Sequence, residues 1–132
     1  MSRINLHDCD SFFYEHIEIG KNCCIITKYN GHLAGMCCWD PREFPLVEIG
    51  HNCIFQKFKG IGLGKEQLRI ILERLKHKSF EKAKVSTGLL DFFIPAQRMY
   101  ESLGFHEIKR DKGNKLGQFN LCDQIYYELN LI

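Results

Sequence analysis

An eleven-residue segment with three glycines at alternate positions constrains the fold of this chain more than any other part of it. Residues 58–68 read Phe-Lys-Gly-Ile-Gly-Leu-Gly-Lys-Glu-Gln-Leu, between a strand-like run, Val47–Phe55, and an overlapping helix-like run, Leu63–His77. Glycine permits positive φ and a close backbone approach to a ligand. A helix that begins in the same turn adds unpaired N–H groups and the positive end of its dipole. The sequence therefore predicts a strand–turn–helix unit that binds an anion, typically phosphate or pyrophosphate.

The spacing of the glycines excludes two common phosphate-binding motifs. The P-loop pattern G-x-x-x-x-G-K-[ST] fails because Lys59 stands where its first glycine belongs and Glu66 where its Ser or Thr belongs. The dinucleotide pattern G-x-G-x-x-G, counted from Gly60, fails because Lys65 takes the place of its third glycine. The pattern [RQ]-x-x-G-x-[GA] fits, with Lys in place of Arg or Gln, as Lys59-Gly60-Ile61-Gly62-Leu63-Gly64. A glycine-rich turn without a ligand is the alternative that this segment alone leaves open.

The rest of the chain predicts an α/β (α+β) fold with a mixed, mostly antiparallel sheet. Asn30-Gly31 is typical of a tight hairpin turn between two strands. A β–α–β succession around Leu63–His77 makes the strand after that helix parallel to the strand before it. The last two strands form an antiparallel pair across a polar loop, Asp111–Phe119. The predicted elements are a short helix over residues 11–17, strands Cys23–Tyr29, His32–Trp39 and Val47–Phe55, helix Leu63–His77, strand Lys84–Gly88, helix Ala96–Leu103, and strands Phe105–Arg110 and Gln124–Asn130.

Length and composition exclude several classes of protein. A chain of 132 residues, 45% hydrophobic and 26% charged, is typical of one soluble globular domain, residues 1–132. No apolar run is long enough to span a membrane, and the N-terminus lacks the apolar core of a signal peptide. The net charge is +2 and the lysines are scattered, which argues against a nucleic-acid partner. The sequence predicts a cytoplasmic protein with neither a membrane nor a nucleic acid as partner.

The seven cysteines do not follow a metal-binding or disulfide pattern. No C-x-x-C occurs, the count is odd, and the adjacent pairs Cys23-Cys24 and Cys37-Cys38 fall in predicted strands, where neighbours point to opposite faces. We expect all of them to be reduced, small apolar residues. No metal is predicted.

A second motif follows the glycine segment after one helix and one strand. Residues 95–105 match the pattern A-x-x-[LM]-Y-x-x-x-G-F at Ala96, Met99, Tyr100, Gly104 and Phe105. Two motifs in this order resemble the GNAT superfamily of N-acetyltransferases over about residues 23–130. The chain departs from the family pattern at two positions. Lys59 keeps the cation of the usual Arg, and Pro95 replaces a frequent Asn, which puts one usual hydrogen bond near the cofactor in doubt.

The resemblance implies a GNAT fold with a strand–helix–strand–helix core that binds acetyl-CoA and needs no metal. In the family the two strands of this core splay apart and the pantetheine arm lies in the gap. Backbone N–H groups near Ile54 would then hold the arm and the thioester carbonyl. The cofactor-binding residues implied are Ile54, Lys59, Gly60, Ile61, Gly62, Leu63, Gly64, Lys65, Ala96 and Tyr100.

The resemblance also implies the roles of the catalytic side chains. Acetyl transfer to an amine requires a deprotonated amine, a polarised thioester carbonyl and a proton for the leaving thiolate. Tyr100 matches the tyrosine thought to supply that proton; the alternative is a tyrosine that only caps the core. Glu48, eleven residues before Lys59, matches a glutamate base of many family members.

The base is less clearly defined than the acid. Between two apolar neighbours Glu48 would be desolvated, which would raise its pKa toward that of a useful base; the alternative is a solvent-facing glutamate. Strand alternation places Glu48 on one face with Asn52, and His51 on the other. His51 is the second candidate, because the unperturbed pKa of histidine suits a base near neutrality. The alternative is that His51 is a hydrogen-bonded histidine of the core. A relay through water is also open.

These residues predict an N-acetyltransferase that moves an acetyl group from acetyl-CoA to an amine by direct transfer in a ternary complex. The acceptor is a small molecule or a protein, and aromatic side chains either line its side of the site or pack in the core: Trp39, Phe44, Phe92 and Phe93. Two alternatives stay open, a non-catalytic CoA-binding module of the same fold and a transferase that uses another acyl-CoA. A homodimer through a sheet edge or the C-terminal strands is compatible with the sequence.

Overall fold

The computed structural model of the chain describes residues 22–111, 115–116, 119–120 and 123–132. The helix predicted for residues 11–17 lies outside the described residues. Short 3-10 turns, Gln56–Phe58 and Asp91–Phe93, precede the two helices. The elements are β1 (Cys24–Tyr29), β2 (His32–Asp40), β3 (Leu46–Ile54), α1 (Leu63–His77), β4 (Lys82–Gly88), α2 (Ile94–Ser102), β5 (His106–Asp111), β6 (Lys115–Leu116), β7 (Phe119–Asn120) and β8 (Gln124–Asn130).

The sheet is mixed and mostly antiparallel, as predicted. Its strand order is β1-β2-β3-β4-β8-β5, and β3 with β4 is its parallel pair. The predicted hairpin turn joins β1 to β2, with φ of 51° at Asn30 and 80° at Gly31. Part of the predicted polar loop, Asp111–Phe119, is in strands, because β6 pairs there with β7. The chain returns from this loop to place β8 between β4 and β5.

Both helices form close to where the sequence predicts them. Helix α1 has the predicted bounds, and its apolar stripe, including Leu68, Ile71 and Leu75, is fully buried against the sheet. Helix α2 begins two residues earlier than predicted, with Pro95 in its first turn. Gly104, at φ 97°, follows its end and turns the chain into β5. Neither described helix is long and apolar enough to cross a membrane.

The two parallel strands separate along their length. Backbone pairing between β3 and β4 ends at Glu48 and Lys84, although both strands continue for several residues. In the same region β3 carries a bulge. Met36 and Cys38, two residues apart in β2, pair with Cys53 and Gly50, which are three residues apart in β3. On its other side β4 stays paired with β8 over all seven of its residues. A gap therefore opens between the carboxyl ends of β3 and β4.

One prediction about the cysteines is wrong. The structure joins Cys24 and Cys38 in a disulfide, because the antiparallel register of β1 and β2 places them directly opposite each other, with a Cα–Cα distance of 4.2 Å. Cys23, Cys37 and Cys53 are free thiols, and the first two are buried as expected. Burial raises the pKa of the Cys37 thiol to about 12. Cys9 and Cys122 lie outside the described residues.

Candidate active site

A cleft of about 770 Å³ occupies the gap between β3 and β4 and extends from the glycine segment to α2. It brings together most of the residues predicted to bind a cofactor: Ile54, Lys59, Gly60, Gly62, Leu63, Gly64, Lys65, Ala96 and Tyr100. Ile61 does not line the cleft; its side chain is exposed. The cleft thus connects the two sequence motifs, although their role in binding stays a prediction.

The glycine segment forms a cradle of backbone N–H groups that lines the cleft. Gly60 and Gly62 have φ of 86° and 85°, and a Cβ added at either would meet no atom within 4 Å. Gly62 is the N-cap of α1, and no side chain of the described residues caps the helix there. The first acidic side chain of α1, Glu66, pairs with Arg69 instead. The N–H groups of the first turn, beside Lys59 and Lys65, suit a diphosphate.

Tyr100, on α2, reaches the same cleft while its ring packs in the core. The ring packs 5.8 Å, centroid to centroid, from both Phe105 and Tyr127. Burial, followed by the neighbouring Cys37 and Tyr127, raises the pKa of Tyr100 to about 12. Because Tyr100 also lines the cleft, the core position and the proton-donor role are compatible. At neutral pH this phenol is a proton donor, not an acceptor.

The structure does not support the desolvation expected for Glu48. Glu48 is exposed on β3, opposite Asp40 on one side and Lys84 on the other, and does not line the cleft. Its charge acts on Tyr126, whose pKa is raised chiefly by the hydrogen bond to Asp111 and also by Glu48. Glu48 as base therefore stays a prediction without the burial argument. The side chain of the second candidate, His51, lies outside the described residues.

Of the four aromatic residues considered for the acceptor side, two line the cleft and two do not. Trp39 is 2% exposed and packs in the core. Phe44 packs on Phe80, 5.0 Å between ring centroids, and does not line the cleft. These two therefore do not line the cleft, and Trp39 follows the alternative of core packing. Phe92 and Phe93 do line the cleft, and Phe92 is 77% exposed.

A buried polar network beside the cleft is absent from the sequence-based prediction. The Gln67 side chain, 1% exposed, bonds with Thr27, with the Met36 carbonyl and with Asn52, which lines the cleft. Strand alternation predicted Asn52 on the face of Glu48, but the bulge in β3 redirects it toward α1. The sequence signal for this network is Gln67 itself, a polar residue on the apolar face of a predicted helix.

Helix α2 is tied to the end of β4 at Gly88. Gln97 Nε2 donates a 2.9 Å hydrogen bond to the Gly88 carbonyl. This bond joins α2 to the cleft wall although Pro95 replaces the family's Asn. The ring of Phe93 lies directly over Gly88, so that a Cβ added there would overlap the ring.

Replacing Gly88 by alanine should therefore destabilise the fold by roughly 1–3 kcal/mol, because the added methyl group displaces the Phe93 ring from the cleft. Urea unfolding of the variant and the wild type measures the difference. The matched control is Gly50→Ala, since Gly50 also lies in a strand but a Cβ there meets nothing within 4 Å. Equal stability of the two variants would contradict the overlap.

The splayed strands and the cleft between them are features of an acyltransferase fold. The chain belongs to the acetyltransferase (GNAT) family, whose sequence profile matches residues 4–105. No curated protein matches the chain by sequence.

Solved structures share the fold at low sequence identity. An N-acetyltransferase from Staphylococcus aureus Mu50 matches with a TM-score of 0.78 at 12% identity, over 94% of this chain and 77% of that chain. The ribosomal-protein-S18-alanine N-acetyltransferase from Escherichia coli matches with a TM-score of 0.72 at 18% identity, over 82% and 68%. An acetyltransferase from Bacillus subtilis, solved in complex with CoA, matches with a TM-score of 0.74 at 18% identity, over 92% and 84%. The predicted fold class is confirmed.

Proposed function

We propose that this protein is an N-acetyltransferase that moves an acetyl group from acetyl-CoA to an amine by direct transfer in a ternary complex. The observation that carries the proposal is one cleft lined both by an N–H cradle and by a protonated tyrosine. Its volume lies within the range of small-molecule sites, roughly 300–1,000 Å³. Acetyl-CoA, when bound, supplies the activated thioester.

The cradle and its lysines would hold the pyrophosphate of the co-substrate. Charge-assisted hydrogen bonds from the N–H groups of the first turn of α1, with Lys59 and Lys65 nearby, suit this anion. Toward α2 the cleft is walled by Ile54 and Ala96, and here β3 is no longer paired with β4. Unpaired backbone groups at this edge would bind the pantetheine arm.

Tyr100 would hold a proton for the leaving thiolate. Its raised pKa keeps the hydroxyl protonated, and its position in the cleft lets it face a ligand. Glu48 would accept the proton of the amine through water, because it is exposed on the strand that forms one wall of the cleft but does not line the cleft itself. Phe92 and Phe93 would provide an apolar surface for the acceptor.

The acceptor is proposed only as an amine, of a small molecule or of a protein. We propose a cytoplasmic location for this protein. Neither Cys24 nor Cys38 is among the described residues that line the cleft, so the proposed reaction does not depend on the state of this pair.

Calorimetric titration with acetyl-CoA, CoA and ATP tests the binding step. We expect both CoA species to bind and ATP to bind more weakly, because ATP lacks the pantetheine arm that fills the rest of the cleft. A panel of amines, with free thiol as the readout, then tests transfer. Binding without turnover on any amine would favour the non-catalytic module, and turnover only with a longer acyl-CoA would favour another donor. Failure to bind either CoA species would reject the proposal.

A further inference from the structure

The polar network beside the cleft fixes the direction of one side-chain amide that lines the cleft. Asn52 lies in the bulge of β3 and lines the cleft. Its partner Gln67 is buried in α1, where water cannot replace a protein partner. Each hydrogen bond of this network therefore restricts the next one.

The orientation follows from a backbone carbonyl, which can only accept a hydrogen bond. Gln67 Nε2 donates to the Met36 carbonyl oxygen at 3.0 Å, and Gln67 Oε1 accepts from the Thr27 hydroxyl at 2.7 Å. The second hydrogen of Gln67 Nε2 goes to Asn52 Oδ1, at 2.8 Å. Asn52 consequently turns its Nδ2, a donor, away from Gln67.

The protein gives this donor a weak acceptor. Asn52 Nδ2 lies 3.9 Å from Met99 Sδ, and a thioether is a poor hydrogen-bond acceptor. Met99 precedes Tyr100 in α2 and lies near the glycine segment as well, since a Cβ added at Gly64 would be 3.7 Å from Met99 Sδ. Asn52 Nδ2 thus points toward Met99, which lines the cleft together with the N–H cradle and Tyr100.

We propose that Asn52 Nδ2 donates a hydrogen bond to a carbonyl oxygen of the acyl-pantetheine arm, and that Gln67 is the positioning residue that keeps this donor facing the cleft. The inference rests on the proposed function, because it requires the arm to occupy the cleft. The carbonyl belongs either to an amide of the arm or to the thioester. Both carbonyl oxygens accept a hydrogen bond in the same way. Loss of the bond to an amide would change the Kd for CoA, whereas loss of the bond to the thioester would change kcat.

Asn52→Asp is the sharpest variant for this test. An aspartate of the same shape still accepts the hydrogen bond from Gln67 Nε2 but, when ionised, has no hydrogen to donate. If the carbonyl is an amide, the Kd for CoA and for acetyl-CoA should rise together, by roughly tenfold. If it is the thioester, kcat should fall by roughly 100-fold while the Kd for CoA is retained.

Gln67→Met tests the positioning role while Asn52 is kept. Methionine fills a similar volume but releases Asn52 to rotate, so the same parameter should change in the same direction, by a smaller factor. The matched control is Ile71→Val, one turn along the same buried helix face, which lowers stability modestly without touching the network. It should leave Kd and kcat unchanged.

The outcomes separate this inference from the proposed function. A wild-type protein that binds no CoA would overturn both. A wild-type protein that binds and turns over acetyl-CoA, with Asn52→Asp folded and unchanged in Kd and kcat, would overturn the inference alone. If Asn52→Asp is impaired but Gln67→Met equals Ile71→Val, the donor role holds and the positioning role fails.

Discussion

Replacing Gly62 by aspartate should raise the Kd for CoA by about 100-fold or more, equivalent to roughly 2.7 kcal/mol. Gly62 caps α1 with φ of 85°, and a Cβ there projects into space that no other atom occupies within 4 Å. A carboxylate at this point lies beside the N–H groups of the first turn and repels the phosphates of the ligand. Aspartate is among the residues that tolerate left-handed backbone, so the fold should survive the change. Calorimetric titration with CoA measures the loss.

Gly31 supplies a matched control for this variant. It has φ of 80° in the β1–β2 turn, and a Cβ there also meets nothing within 4 Å. Gly31→Asp therefore imposes the same backbone strain and the same charge at a place outside the cleft. We expect a similar change in unfolding free energy for both variants and a loss of CoA affinity for Gly62→Asp alone. Equal affinities would show that the cradle does not bind the phosphates.

Replacing Tyr100 by phenylalanine should lower kcat by roughly 10²–10⁴-fold, the usual contribution of a positioned acid. The ring stays in place against Phe105, so the affinity for CoA should change little. Steady-state kinetics with an accepted amine, alongside CoA titration, measures the two quantities separately. Tyr127→Phe is the control, because Tyr127 is also buried but bonds to Glu101 and is not among the described residues lining the cleft. A comparable loss of kcat in both variants would indicate a packing effect instead of acid catalysis.

The pH dependence of the reaction gives an independent check on Tyr100. Burial raises its pKa from 10.0 to about 12, so the folded protein keeps this proton throughout the neutral and mildly alkaline range. Deprotonation of Tyr100 therefore cannot cause a decline of kcat below about pH 10. Tyr100→Phe should lower the whole profile without moving an alkaline limb in that range. A limb near neutrality that disappears in the variant would contradict this assignment.

The sequence predicts well what depends on local backbone chemistry. Three glycines at alternate positions specify the turn, and the apolar stripe of Leu68, Ile71 and Leu75 specifies the helix after it. The parallel pairing of β3 with β4 follows from the helix that connects them. The structure brings both motifs to one cleft, because the end of β3 and the start of α2 lie on opposite sides of the gap.

Features that depend on strand register were not predicted. The bulge in β3 reverses the alternation after Gly50, so Asn52 turns toward α1 and not to the face of Glu48. The register of β1 and β2 likewise sets Cys24 opposite Cys38, which no spacing rule indicates. The exposure of Glu48 also depends on tertiary structure. Its sequence neighbours Val47 and Ile49 point to the opposite face of the strand, so they do not desolvate it.

The place of β8 in the sheet has a consequence for the order of folding. Until β8 is present, β4 is held to the sheet by its short pairing with β3, and β5 has no neighbouring strand, because β8 lies between them. Pairing β8 with β4 closes a loop of more than thirty residues, a slow, non-local step. During synthesis both sequence motifs would thus leave the ribosome before β4 is fixed in the sheet by β8, and therefore before the cleft between β3 and β4 has a stable wall. The ability to bind a ligand in the cleft should be acquired late, when β8 emerges from the ribosome, and not when the glycine segment does.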